Sequence, residues 1–168
     1  MSGAERRTVE LYLLRHAHAG DPAAWTGPDE LRPLSAKGER QAERLGVLLA
    51  SVRFRPDAIL TSPKLRASQT AEIVAGHLSV PVTAEERLAG ALDAATVEAI
   101  VRDAGDPARV VLVGHDPDFS ELVEALAGTS GVSMRKGALV RLDTSRPVSD
   151  GGAELRWLVP PDLLEARR

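Results

Sequence analysis

RVVLVGHDPDFSELVEALAG, Arg109 to Gly128, decides how the rest of the chain is read. After its arginine the opening run is apolar and largely β-branched, and a run this short that ends at glycine suits a strand buried on both faces. The chain then turns at once. Asp116 is placed to cap a helix, Pro117 suits a first helical position where no N–H is needed, and Gly128 suits the helix end. A doubly buried strand that feeds directly into a helix is half of a βαβ unit.

The same order recurs upstream. VELYLL (Val9 to Leu14) reads as the first strand and DAILTS (Asp57 to Ser62) as another. Ser62 is then the expected N-cap, and Pro63 falls in the first turn, of a helix written by KLRASQTAEIVAGHL. From Ser35, SAKGERQAERLGVLLASV sets Ala42, Leu45, Leu48, Leu49 and Val52 on one helical stripe, with Ser35 as N-cap. VPVT is a short strand candidate and ATVEAIVRDA a short helix. Two late runs, ALVRLD and AELRWLV, flank the turn-rich TSRPVSDGG and read as a closing strand pair. Strands alternating with helices predict an α/β fold: a three-layer α/β/α sandwich whose mainly parallel sheet carries helices on both faces. At 168 residues the expectation is a single domain over 1–168, its core at about 8–160, with the charged DLLEARR end frayed.

Composition narrows the function. Hydrophobic residues are 43% and aromatics only 3%, so the core must be aliphatic. A net charge of -3 offers no long-range attraction to polynucleotides or anionic lipid, so neither nucleic acid nor membrane is an expected partner. The chain has no cysteine, which removes disulfides, thiolate metal sites and cysteine nucleophiles. Its start, MSGAERRTVE, has no apolar segment after the basic pair, and no run approaches the ~20 residues that span a bilayer, so the expected address is the cytoplasm.

Chemistry concentrates at strand ends. In the stretch LYLLRHAHAG, His16 follows the first strand directly, with Arg15 before it and His18 two residues on. Arg66 falls in the first turn after the second strand, and His115 follows the RVVLVG strand directly. In a doubly wound sheet, ligands bind in the crevice outside the carboxyl ends of the strands, where residues distant in sequence converge. Helices starting near Pro63 and Pro117 would also aim free N–H groups there. Two guanidiniums, two imidazoles and helix N-termini suit a phosphoryl group. With no cysteine, the nucleophile candidate is a neutral imidazole, and neighbouring positive charge keeps its lone pair free. His16 is the choice. Arg66 is otherwise hard to explain, because the macrodipole disfavours a cation in a first helical turn. Gln69 and Thr70 read as support one turn on. His77 reads as a surface residue near a helix C-terminus, and Trp25 as either a cover for substrate or packing for its own loop.

These stretches carry a resemblance. LLRHAHAG resembles the Arg-His-Gly signature of the histidine phosphatase superfamily, whose fold is phosphoglycerate mutase-like. SPKLRASQTA resembles its second-arginine motif, VLVGHDP its second-histidine motif, and RPLSAKGERQA a further habit of the family, all in family order over about Val9 to Leu126. Shortness, without an inserted cap, looks most like the small bacterial phosphohistidine phosphatases. The resemblance implies His16 as nucleophile, Arg15, Arg66 and His115 as phosphate ligands, and a phosphoenzyme intermediate without metal or organic cofactor. His18 is a further candidate for the pocket entrance.

The sequence also departs from the family. Ala17 stands where glycine is usual, a change a backbone in the αR or β region tolerates. Sugar-phosphate members carry a glutamate proton donor after the third strand. In AEERLAGALDAA the nearest counterparts are Glu85, Glu86 and Asp93, while the preferred register puts Gly90 there. Asp93, Glu86 and Asp116 are the candidate donors. An absent acid favours a P–N bond, because an imidazole leaves far more readily than an alkoxide. The expected partner is a phosphohistidine-bearing protein, with a small phosphorylated metabolite or nucleotide as the alternative. Two other classes compete. A zinc site on His16, His18, His115 and Asp116 is opposed by the adjacent arginines, which repel a dication. A silent phosphate-binding module would have lost an essential group, and all four are present.

Overall fold

The computed structural model describes residues 7–165. Six strands, β1 (Thr8–Arg15), β2 (Ala58–Thr61), β3 (Val82–Ala84), β4 (Arg109–Gly114), β5 (Leu139–Ser145) and β6 (Ala153–Val159), form one sheet. Four helices, α1 (Ala36–Ser51), α2 (Leu65–Leu78), α3 (Ala94–Asp103) and α4 (Asp118–Ala127), cover it. The strand order is β3-β2-β4-β1-β5-β6. β1 to β4 run parallel, and β5 and β6 close the sheet antiparallel beside β1.

Strand side chains alternate between faces, so each central strand feeds two cores. Leu11 and Leu13 of β1 and Val110 and Leu112 of β4 pack with Val97 and Ile100 of α3 and Leu122 and Leu126 of α4. Tyr12, Leu14, Val111 and Val113 face the other way, against Leu45 and Leu49 of α1 and Ala71 and Val74 of α2. This is the three-layer sandwich expected from the doubly apolar strands. Each buried leucine or valine withdrawn from water contributes about 1.5–3 kcal/mol, which makes these central strands the firmest part of the molecule.

Helix starts depart from expectation in instructive ways. Ser35 caps α1, its hydroxyl accepting from Gly38 N at 3.1 Å. Ser62 does not cap α2: that helix begins at Leu65, with Lys64 at the cap position and no side-chain cap bond. The Ser62 hydroxyl instead pairs with a histidine ring. α4 begins at Asp118, with Pro117 as the residue before its first turn, while Asp116 Oδ1 still accepts from Ser120 N at 3.0 Å. The chain end corrects the frayed-tail expectation: Pro161–Leu164 forms a 3₁₀ turn with Pro161 buried and Leu164 packed against the α1/α2 core. That expectation otherwise falls on residues 1–6 and 166–168, which lie outside the described residues.

One close approach fixes the segment that follows β1. A Cβ on Gly38 would lie 1.9 Å from the carbonyl oxygen of His18, so α1 can press against this backbone only with glycine there. Gly76, inside α2, has nothing within 4 Å of the same construction. Gly38→Ala should therefore lower stability by about 1–3 kcal/mol or more. Gly76→Ala should raise it by about 0.5–1 kcal/mol, the helix-interior cost of glycine. Urea unfolding midpoints at constant slope would measure both, and equal effects would contradict the packing.

Candidate active site

The strand order places three connections side by side. β2, β4 and β1 are consecutive neighbours, and Arg66, His115 and His16 each follow one of them. Register completes the match: Arg15, the last residue of β1, pairs with Gly114, the last of β4. The backbone N–H of His16 donates to Gly114 O at 2.9 Å, so the two histidines leave the sheet together. Their rings lie with centroids 5.3 Å apart. Gly114 is itself required, because a Cβ there would meet the Phe119 ring at 2.7 Å.

His16 is buried, and its Nδ1 lies 2.8 Å from the carbonyl oxygen of Ala17. A carbonyl only accepts, so Nδ1 carries the proton and Nε2 holds the lone pair. Burial is the main reason its pKa is pushed down to about 3; the Ala17 carbonyl opposes this, and the charges of His115, Arg66 and Arg15 add to it. His115 is pushed down to about 4 by burial and then by Arg66 and Lys64. Both imidazoles are therefore neutral near pH 7.

The arginines are held from behind. Arg15 donates through Nη1 to Met134 O at 2.7 Å and lies 3.8 Å from the Asp116 carboxylate. Arg66 donates through Nη1 to Asp29 O at 2.9 Å and through Nη2 to Asp29 Oδ2 at 3.0 Å. Thr70 joins the two motifs: its hydroxyl donates to Arg66 O at 2.7 Å and accepts from Ala17 N at 3.1 Å. His115 Nε2 lies 2.8 Å from Ser62 Oγ. Three buried nitrogens in this set have no partner among the described residues, namely Arg15 Nε, Arg66 Nε and His115 Nδ1. Buried polar groups are rarely left so, and an anion is the kind of ligand that such donors suit.

The remaining candidates are placed elsewhere or in support. The half-buried His18 has Nδ1 2.6 Å from Ser35 Oγ, and its backbone N donates to Gln41 Oε1 at 2.9 Å. Asp93 caps α3, accepting from Thr96 N at 2.7 Å, and that bond holds its carboxyl below the usual range. Glu86 is exposed on a 3₁₀ turn, and Glu85 is paired with Arg87. Asp116 accepts from both the N and Oγ of Ser120 and is the one candidate donor that contacts the four-residue set. Trp25 donates to Pro28 O at 2.9 Å and packs over Gly27, tying down its own loop. His77 pairs with Glu43 at 2.6 Å. No group of three or more His, Asp or Glu side chains among the described residues is arranged to hold a metal ion. No helix among them is long and apolar enough to cross a membrane.

Sequence reasoning missed Asp29, which orients Arg66 and pairs with the buried Arg32 at 3.3 Å. Its only signal was position, a loop carboxylate just before RPLS. It also missed Ser62 as a partner for His115, having spent that hydroxyl on a helix cap.

Comparison with known proteins bears on the family and the fold. The family model of the histidine phosphatase superfamily, branch 1, matches residues 11–106. An uncharacterised protein of Picosynechococcus is 38% identical over 90% of this chain and 100% of its own. The phosphohistidine phosphatase SixA of Escherichia coli is 28% identical over 91% of this chain and 94% of its own. Among solved structures, the protein histidine phosphatase SixA complexed with tungstate superposes with a TM-score of 0.79 at 24% identity, over 94% of this chain and all of that one.

The tautomer and the low pKa of His16 are directly measurable. In a pH titration followed by ¹⁵N NMR, the His16 ring should remain neutral, with its proton on Nδ1, from pH 7 down through pH 5. An exposed imidazole would be mostly protonated by then. Titration of His16 near 6.5 would contradict the buried, cation-flanked setting.

Proposed function

The chain belongs to the histidine phosphatase superfamily, and on that premise we propose that it is a protein phosphohistidine phosphatase that works through a phosphohistidine on His16. The observation that carries this reading is the His16 ring itself: neutral, held by the Ala17 carbonyl so that Nε2 keeps its lone pair, and surrounded by cationic and unpartnered donors.

In the first step Nε2 of His16 attacks phosphorus in line, and the bond from phosphorus to the substrate's imidazole nitrogen breaks. Arg15, Arg66 and His115 hold the oxygens. Their charge and hydrogen bonds stabilise the transferring group in a site where buried donors are stronger than in water. The departing imidazole takes its proton from solvent. In the second step water attacks phospho-His16, releasing inorganic phosphate and restoring the neutral ring. No step requires a metal or an organic cofactor.

The P–N preference rests on the proton donors. Asp93 is engaged as a helix cap, Glu86 is exposed, and Asp116 is engaged by Ser120. A leaving imidazole needs little help, whereas an alkoxide leaving from a sugar phosphate needs an acid. Arg66 acts through a fixed plane, since Asp29 grips both of its Nη atoms and leaves Nε to the substrate. Lysine, a flexible point charge, would not replace it.

Phosphate release followed by phosphorus NMR, with chelator present, tests the reading on a phosphohistidine peptide and on a sugar phosphate. Wild type should release phosphate from the peptide far faster than from the sugar phosphate. His16→Ala should abolish turnover, and Arg66→Ala should cut it by ~10² or more. Near-normal activity of His16→Ala would overturn the mechanism, comparable rates on both substrates would overturn the P–N preference, and loss to chelator would overturn metal independence.

A further inference from the structure

Beside the four-residue set, and sharing Arg15 with it, lies a cleft of about 280 Å³ bordered by His18, Lys37, Arg135 and Lys136. The placement of Lys37, Arg135 and Lys136 is built in. Gly137 N donates to the carbonyl oxygens of both Arg15 and His16, at 3.1 and 3.0 Å, and Met134 O accepts from Arg15 Nη1 at 2.7 Å. The segment from Met134 to Gly137 is thus held at one end by the Arg15 guanidinium and at the other by the backbone carbonyls of Arg15 and His16, with Arg135 and Lys136 between the two ties. Gly137 has φ +85°, a conformation that favours glycine and lets the segment turn into β5. Lys37 comes from a different element, in the first turn of α1, where the macrodipole disfavours a cation.

None of Lys37, Arg135 and Lys136 is within ion-pair distance of a carboxylate among the described residues, although Arg15 has Asp116 and Arg66 has Asp29. Burial, and then the charges of Arg15, Arg32 and Arg66, hold the Lys136 ammonium below its ordinary value, so it lies within the field of the phosphate-binding guanidiniums. Four cations, Arg15, Lys37, Arg135 and Lys136, thus border a cleft to which the protein brings only two carboxylates, Asp162 and Glu165, and neither forms an ion pair with Lys37, Arg135 or Lys136; an arriving anion would relieve the excess of positive charge.

We propose that this cleft is a specificity subsite that receives a carboxylate flanking the phosphorylated histidine of a protein substrate, held by Lys37 and Lys136. The proposal rests on the phosphohistidine reading above and names the substrate surface that reading requires. A carboxylate is preferred to a second phosphate because Asp162 and Glu165 also border the cleft and would repel a dianion more than a monoanion. The lysines suit a loosely defined acidic flank, being point charges on flexible stems, where a fixed second phosphate calls for the guanidinium fork.

The test is calorimetric binding of peptides bearing a non-hydrolysable phosphohistidine analogue, with either aspartates or alanines at the flanking positions. Wild type should bind the acidic peptide about tenfold more tightly at low salt, the sum of several partly exposed ion pairs. The ratio should fall towards one at about 0.5 M salt. Lys37→Gln with Lys136→Gln should reduce the ratio to below about twofold, the alanine-flanked peptide serving as internal control. If the double variant is poorly folded, the salt titration of wild type alone decides. A wild-type ratio of one, or a ratio the double variant leaves intact, overturns the subsite. So does a lysine-dependent preference for inorganic pyrophosphate over phosphate without any peptide preference, which would mark a small-molecule site. Turnover of a true phosphohistidine peptide, run in parallel, separates the two readings: an acidic preference without turnover supports the subsite and removes the phosphatase assignment. If neither peptide binds, the subsite falls, and the phosphatase reading falls with it only if the true phosphohistidine peptide is not turned over either.

Discussion

The pairing of β1 with β4 is the constraint on which the rest depends. It sets Arg15 opposite Gly114 and joins His16 N to Gly114 O, so two histidines far apart in the chain leave the sheet side by side. A slip of β1 by one residue would turn Leu11 and Leu13 away from the α3/α4 core and carry Tyr12 and Leu14 the other way, out of step with Val110, Leu112, Val111 and Val113 of β4. The register that buries two aliphatic cores is thus the register that juxtaposes the imidazoles. Folding energy and site geometry are specified by the same residues, so the site needs little dedicated scaffolding of its own.

What scaffolding there is works through backbone carbonyls and single hydroxyls. Ala17 O fixes the tautomer of His16, Met134 O and Asp29 O hold the two guanidiniums, and Thr70 Oγ1 ties the Ala17 amide to the Arg66 carbonyl. Carbonyls orient a donor without cancelling its charge. The guanidiniums are therefore positioned and remain cationic, with two carboxylates, Asp29 and Asp116, as partial counterweights. Burial completes the arrangement, because the desolvation that leaves His16 and His115 neutral also strengthens any hydrogen bond they make to an anion.

Much of this was legible in the sequence because it is written in short-range terms. VELYLL, DAILTS and RVVLVG are apolar on both faces, which only a covered, largely parallel sheet accommodates, and Gly128 ends α4 in the left-handed conformation expected of it. Once strand ends were located, topology brought Arg15, His16, Arg66 and His115 to one edge. Asp29 was not legible, since its loop has no periodicity and its partner lies 37 residues away. Ser62 was misread because its hydroxyl accepts from the Lys64 amide just ahead of the helix and also meets the His115 ring, and only tertiary placement brings that ring to it. The chain end was misread because DLLEARR looks charged, although the apolar Pro161 and Leu164 are enough to dock it.

Cations in first helical turns connect these observations. Arg66 in α2 and Lys37 in α1 both sit where the helix dipole opposes them, and neither position is explained by packing alone. On the proposals above, an anion that arrives during function offsets that cost. At Arg66 a resident carboxylate, Asp29, offsets the charge from one side and leaves Nε free. At Lys37 no resident carboxylate does so among the described residues. The first pattern fits a cation that must be held at one angle for chemistry, the second a cation that must stay free to meet a partner whose shape varies. On these proposals a single sheet edge carries a rigid electrostatic centre and a compliant rim, and the difference follows from which cations the fold itself has partnered.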